Sequence, residues 1–286
     1  TGGAGFIGYN LSNKLSKIAK KIIIIDNFST GFNKKFSKNV KLIIGDCSNK
    51  DVYKRLGKIK FDSVIHLAGV SSVEASFDNP EKDARNNIIS TINIIEYIKK
   101  NNIPNLIFSS SMCIYGNSKI KVNENSKINP ISFYGISKLT AEKYINFYKL
   151  KNTTKVILRL FNVYGPGTDK KNTKHGMVGI YANQLTDSNK ILVKGKISRF
   201  RDFIYIDDVV KIIIKSIKLK NKKCNIFNVC SSKKTSVKEL LNKIIKFSKK
   251  ENIKIMQKGS TPGDQFGIVG SNKKVKKILK IKRFTN

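Results

Sequence analysis

The chain has 286 residues, 40% hydrophobic and 26% charged, enough apolar residue to bury the core of one large domain or two modest ones and too much for intrinsic disorder. Four cysteines (Cys47, Cys113, Cys224, Cys230) form no C-x-x-C pair and there are two histidines, so neither a disulfide framework nor a metal site is expected. No apolar run nears the ~18 residues of a membrane helix, which leads us to expect a soluble, cytoplasmic protein with reduced thiols and no membrane partner.

Lys and Arg number 56 against 19 acidic residues, a formal charge of +37. Such a field attracts polyanions by counterion release. Only six of the 56 are Arg, however, and Lys, Ile and Asn together make up 122 residues spread along the whole chain. Arg supplies most bidentate phosphate and base readout, and no RRM-, KH- or zinc-finger-like pattern localises a binding surface. A uniform compositional tilt that decorates solvated faces with lysine accounts for the charge, and no specific nucleic-acid partner is expected.

In chain order the first signal is Thr1-Gly2-Gly3-Ala4-Gly5-Phe6-Ile7-Gly8, where Gly3, Gly5 and Gly8 fit G-x-G-x-x-G and Gly2, Gly5 and Gly8 fit G-x-x-G-x-x-G. These glycines permit a tight strand-to-helix turn and close approach of a pyrophosphate to a helix N-terminus. Ile7, Leu11, Leu15 and Ile18 continue at helical spacing, and the strand 21–26 ends in Asp26, 18 residues past Gly8. An acid there meets the adenosine ribose hydroxyls in NAD sites, and no neighbouring Arg welcomes a 2′-phosphate, so NAD is expected rather than NADP. Because the chain opens on the turn itself, the strand that should precede it is expected to be missing, and the end at 279–286 to stop without a closing element.

Further strands are expected at 40–45, 63–67, 105–109 and 155–160, alternating with amphipathic stretches such as Ile88, Ile92, Ile95 and Ile136, Leu139, Tyr144. Strands apolar on both faces with helices between them predict a doubly wound α/β domain, a parallel (Rossmann) sheet covered on each side. After Gly165-Pro166-Gly167 a polar loop (168–174) breaks the rhythm. A βα unit (203–217), a strand (225–229), a helix (237–247) and a short strand (253–256) then predict a smaller interleaved α/β lobe. The division expected is 1–164 for the dinucleotide-binding domain, to which 203–229 returns, and 165–286 for the substrate lobe.

Tyr134-Gly135-Ile136-Ser137-Lys138 is Y-x-x-x-K, an i, i+4 pair that sets phenol and ammonium on one helical face. A neighbouring cation stabilises a phenolate and would lower the phenol pKa from ~10. Chance pairs are common in so lysine-rich a chain. What singles this one out is the upstream Ser109-Ser110-Ser111, at the end of a parallel strand where α/β ligand sites lie.

This combination resembles the extended short-chain dehydrogenase/reductase superfamily, in its nucleotide-sugar epimerase/dehydratase branch, along essentially the whole chain. Further matches are IIGDC with Asp46, the HLAG run 66–69, Asn87 in RNNIIST, SSSMCIYG at 109–116, LRLFNVYG at 158–165, RDFIYIDDVV at 201–210 and Pro262-Gly263-Asp264. The resemblance implies that Ser111 and Tyr134 hydrogen-bond the sugar hydroxyl to be oxidised, that Tyr134 removes its proton, and that Lys138 lowers the Tyr134 pKa and holds the nicotinamide ribose. It implies an NAD cradle of Gly2, Gly5, Phe6, Ile7, Gly8, Asp26, Asn27, Leu67, Ala68, Gly69, Ser109, Tyr134, Lys138 and Phe161. Asp46 and Cys47 would bracket adenine, and Asn87 would line the pyrophosphate side. Ser71, Ser111, Tyr134, Asn162, Arg201 and Asp264 are the implied substrate contacts, Asn162 and Arg201 toward the diphosphate.

Dehydratases of the branch carry Asp-Glu directly after the strand-end hydroxyl residue, and this chain has Met112-Cys113. The resemblance therefore implies a UDP-glucose 4-epimerase-like activity by transient 4-keto oxidation and hydride return, on a UDP-sugar or another nucleotide-sugar, by a homodimer. Dehydratase, decarboxylase and reductase chemistries of the same branch are the alternatives, with a non-catalytic NAD-binding protein that uses its basic surface on nucleic acid behind them. Three positions depart from the family pattern: Thr261 replaces an arginine that would meet the diphosphate, Lys174-His175-Gly176-Met177 differs from the usual entry to its helix, and Ser71 replaces a lysine of some epimerases. His175 is expected to be a solvated loop residue, His66 a core histidine, and Asp207-Asp208 acids at a helix N-terminus.

Overall fold

The computed structural model describes residues 1–32, 35–168, 176–220 and 224–285; the polar stretch 169–174 and His175 lie outside them. Strands β1 (Ile22–Asp26) and β2 (Val40–Ile44) run parallel, in register from Ile22 opposite Val40 to Asp26 opposite Ile44. Strands β3 (Val64–His66), β4 (Asn105–Ser111), β5 (Thr154–Leu160) and β10 (Asn225–Val229) form a second parallel set in the order β10-β5-β4-β3. Thr1 and Gly2 tie the two sets together: Gly2 N donates to Ile25 O at 2.8 Å, the Thr1 nitrogen to Ile65 O at 2.9 Å, and Leu67 N to Thr1 O at 3.2 Å. Asp26, His66, Ser111, Leu160 and Val229 thus end their strands on one edge, the carboxyl edge where open α/β sheets bind ligands.

Alternation along the central strands explains why both faces are covered. Leu106 and Phe108 of β4 and Ile157 of β5 point to one apolar layer. That layer also holds Ile94, Ile95 and Ile98 of helix α5 (Ser90–Lys100) and Ala141 and Ile145 of α6 (Phe133–Phe147). Ile107, Val156 and Leu158 point to the other, shared with Leu11 of α1 (Phe6–Leu15), Val209 and Ile213 of α8 (Ile206–Ile217) and Val275 of α10 (Lys273–Ile278). A strand with no polar face can lie only between two helical layers. The short helices α2 (Asp51–Lys54), α3 (Val73–Asp78) and α4 (Pro80–Ala84), followed by a π-helical turn (Arg85–Ile89), complete the first half.

The remaining elements build a lobe over the carboxyl edge. Its core joins Tyr181 and Leu185 of α7 (Met177–Asp187), Ile191 and Val193 of β7 (Lys190–Val193), and Val237, Leu240 and Leu241 of α9 (Val237–Ser248). β12 (Lys254–Gln257) pairs in parallel with β7, β6 (Asn162–Tyr164) with β9 (Phe203–Tyr205), and β8 (Phe200–Arg201) pairs antiparallel with β11 (Thr235–Ser236). Ser236 and Glu239 cap α9 reciprocally, a capping box. The expected strands recur with ends shifted by one or two residues, and the first helix stops at Leu15, short of Ile18. α7 and β7 are additions, because only Tyr181 and Leu185 of α7 are buried and Gly176 and Gly179 dilute its helical signal.

Candidate active site

The carboxyl edge and the smaller lobe enclose a cleft of about 630 Å³. At one end the glycine turn is built on contacts that leave no room for side chains. A Cβ on Gly8 would stand 2.1 Å from Gly2 O, and one on Gly2, whose φ is +70°, would stand 2.5 Å from Ala68 N. Helix α1 starts here with no side chain capping it and no acid in its first turn, which leaves its positive end to an anion. Asp26, 7% exposed, is fixed by Ala4 N at 2.9 Å and Phe28 N at 2.8 Å, one donor to each carboxylate oxygen. Each oxygen keeps a lone pair for a ribose hydroxyl. Asp46 accepts from Ser48 N at 2.7 Å and Asn27 Nδ2 at 3.2 Å; burial raises its pKa, but these bonds outweigh it and hold the carboxyl low. Two carboxylates on this wall repel a 2′-phosphate, so the residues fit NAD. Gly2, Gly5, Phe6, Ile7, Gly8, Asp26, Asn27, Asp46, Cys47, Leu67, Ala68, Gly69, Ser109 and Phe161 all line the cleft.

Asn87 is the exception. It is 1% exposed and stands behind Gly69, donating to Val70 O at 3.2 Å and Asp83 Oδ1 at 2.9 Å, so it backs the loop instead of lining the pyrophosphate side. Gly69, at φ +148°, is required by that packing, since a Cβ there would stand 2.4 Å from Asn87 Oδ1.

The candidate acid–base residues Ser111, Tyr134 and Lys138 meet at the end of β4. Ser111 is the last residue of the strand, and its Oγ accepts from Cys113 N at 3.2 Å. Ser132 caps α6 through Gly135 N at 3.1 Å, and Gly135 lets the helix close on Cys113 O, which a Cβ would approach to 2.8 Å. That contact sets Tyr134 beside Ser111, whose hydroxyl favours the phenolate. Lys138 Nζ donates to Ser109 O at 3.0 Å and lies 5.9 Å from the Tyr134 ring centre. Burial lifts the Tyr134 pKa above that of a free phenol, with Cys113 and Asp83 contributing in the same direction and Ser111 opposing. The net shift is upward because burial penalises the phenolate, and the nearby ammonium is held by a carbonyl. Burial also draws Lys138 down to about 8, against the pull of Asp83 and Glu142.

On the far wall Arg201, Asn162, Ser71 and Asp264 all reach the cleft. Asp264 bridges Arg201 and Arg199 with one carboxylate oxygen to each. Arg199 went unnoticed in the sequence, as did Glu74 and Lys194, which pair at 2.7 Å across the cleft. A visible signal existed for Arg199, an arginine in a chain that otherwise uses lysine. His66 is fully buried between Thr1 Oγ1 at 2.7 Å and Thr91 Oγ1 at 3.2 Å, a satisfied core residue. Asp208, in the first turn of α8, accepts Thr285 N at 2.7 Å. Behind the cleft Arg159 and Glu142 form a buried ion pair at 2.8 Å, also unforeseen.

Known proteins match this chain in sequence and in fold. A putative UDP-glucose 4-epimerase of Methanocaldococcus jannaschii is 35% identical over 85% of this chain and 79% of its own length. The structure of Thermotoga maritima UDP-glucose 4-epimerase with UDP-glucose superposes with a TM-score of 0.90 at 28% identity, covering 96% of this chain and 90% of that one. The Thermus thermophilus UDP-glucose 4-epimerase complex with NAD superposes at 0.89 and 26% identity, covering 97% and 91%. With residues 1–230 matching the family's sequence profile, the chain belongs to the NAD dependent epimerase/dehydratase family.

Proposed function

We propose that the chain is an NAD-dependent epimerase of a UDP-hexose, inverting C4 by way of a transient 4-keto sugar. The observation that carries this reading is the strand end itself, where Ser111, Tyr134 and Lys138 gather beside an uncharged Met112-Cys113. Bound NAD supplies the hydride acceptor and donor. Tyr134 would take the C4 hydroxyl proton and return it, Ser111 would orient that hydroxyl, and Lys138 would bring positive charge to the same corner. Water elimination needs a further acid and base. Met112 does not titrate and burial pushes the Cys113 thiol up, so these residues move one proton and no second. The Gly2-to-Gly8 turn, Asp26 and Asp46 are the residues that would hold NAD, and Arg201, Asn162, Ser71 and Asp264 those that would hold the nucleotide-sugar.

The same reading divides the chain into an NAD-binding domain, 1–164 with 203–229 returning to its sheet, and a substrate lobe within 165–286. A homodimer is supported by Ile136, Tyr144 and Phe147, exposed on one face of α6, and by Ile89 on the π turn packed beside it. No helix among the described residues is long and apolar enough to cross a membrane, and the four cysteines are all free, which supports a cytoplasmic protein. No specific nucleic-acid partner is part of the proposal.

The test is incubation of the NAD-loaded protein with UDP-glucose, UDP-galactose and UDP-N-acetylglucosamine, followed by NMR and mass spectrometry. Interconversion at C4 with no change of mass is expected. Loss of water would establish a dehydratase instead, and loss of carbon dioxide from UDP-glucuronic acid, added as a fourth substrate, a decarboxylase.

A further inference from the structure

Arg199 and Arg201 approach one carboxylate, that of Asp264, each taking a different oxygen. Two guanidiniums on one carboxylate leave a full positive charge in the cleft wall, although the side chains are only 9% and 4% exposed. Lys194, the next cation along, is paired with Glu74 at 2.7 Å. A buried cation in excess of its partners is costly by itself and becomes favourable with an anion beside it.

The position of Arg199 is built. Its Nε donates to Lys196 O at 3.0 Å and its Nη2 to Lys194 O. Gly195 adopts φ +84°, and a Cβ there would stand 3.0 Å from Arg199 Cζ, so the glycine makes room for the guanidinium plane. Arg201 is held by Phe200 O at 2.8 Å and Phe266 O at 3.3 Å. Both line the cleft beside Thr261, a neutral residue on the same wall. Arginine is also a rare choice here, six residues against 50 lysines, and its planar fork suits a paired-oxygen anion better than a point charge does.

We infer that Arg199 is a second anion-binding arginine of this cleft, gripping the diphosphate of the nucleotide-activated substrate together with Arg201 and supplying the positive charge that Thr261 does not. Asp264 is the spacer that holds the two guanidiniums side by side against their mutual repulsion. The ligand rests on the nucleotide-sugar reading above; the charge excess does not.

The experiment is calorimetric titration of the NAD-loaded protein with UDP, UMP and inorganic pyrophosphate. Arg199→Gln should weaken UDP and pyrophosphate by about 10- to 100-fold, the range of a charge-assisted hydrogen-bond pair, and UMP only a few-fold. Arg199→Gln/Thr261→Arg should regain part of the loss, because a guanidinium returns to the same wall. Should the Gln variant lose its NAD and with it its fold, Arg199→Lys carries the test, keeping the charge but not the fork, with a several-fold loss for UDP and none for UMP. UDP affinity within threefold of the parent in a folded variant, or an equal loss for UDP and UMP, overturns the inference while leaving the epimerase reading intact. A parent protein that binds neither UDP nor pyrophosphate overturns both.

Discussion

Lys138 Nζ donates to the carbonyl of Ser109 at 3.0 Å, so the cation of the Y-x-x-x-K pair is anchored to the end of β4 and not to the phenol four residues before it. The strand that presents Ser111 thereby also positions the lysine.

That anchoring sets a pH dependence. Burial draws Lys138 from 10.5 to about 8, so between these values the native state has released a proton that the unfolded chain still binds. Folding stability from this group therefore rises with pH across that window, where the cost of the buried charge is relieved. Function runs the opposite way. NAD affinity that depends on the ammonium should fall by up to about tenfold per pH unit above 8. Calorimetry of the NAD-free protein across neutral and alkaline pH checks this, and Lys138→Met should bind weakly with a flat profile.

Tyr134→Phe keeps the ring in its place against the Met112–Tyr115 turn but removes the phenol beside Ser111. NAD should stay bound while epimerisation falls by ~10²–10⁴-fold, the usual worth of general acid–base catalysis. Ser111→Ala should cost less, since it removes one hydrogen bond and leaves the base. Retention of turnover within a few-fold in Tyr134→Phe, read by a coupled assay, would show that another group takes the proton.

The glycines of the first turn should separate folding from cofactor binding. A Cβ at Gly8 meets the backbone at 2.1 Å, so Gly8→Ala should lower the melting temperature and abolish NAD retention together. At Gly5 the nearest contact would be an ordinary 3.5 Å to Gly2 O. Gly5→Ala should melt near the parent temperature and weaken only NAD, because its methyl intrudes where the pyrophosphate approaches the helix end. Thermal shift with and without added NAD distinguishes the two.

The parallel sheet was legible because β4 and β5 are apolar on both faces, a pattern that admits one architecture. The glycine turn, Asp26 and the Ser111/Tyr134/Lys138 set were legible because their chemistry fixes residue types at short spacings. Asn87 was placed a layer too far forward, since a sequence shows that an amide sits near the loop but not which side of Gly69 it occupies. Arg199, Glu74 and Lys194 were missed for a similar reason. They converge from segments 65 to 120 residues away from their partners, and no local period records such a meeting.

Arg159 and Glu142 offer the sharpest test of the packing behind the site. Arg159 binds both carboxylate oxygens, Nε to Oε1 at 3.0 Å and Nη2 to Oε2 at 2.8 Å, and its Nη1 reaches Tyr115 Oη at 2.9 Å and Glu124 O at 3.0 Å. Neither partner is more than 5% exposed. Arg159→Met strands a buried carboxylate and should destabilise the fold by ~3–5 kcal/mol in chemical denaturation. Adding Glu142→Gln removes the stranded charge and should restore part of that stability. Glu142 is also one of the two carboxylates that favour the charged form of Lys138. Glu142→Gln should therefore lower the Lys138 pKa further and move the alkaline loss of NAD affinity to lower pH. A midpoint unchanged in the folded single variant would mean that Asp83 alone sets the charge of the lysine.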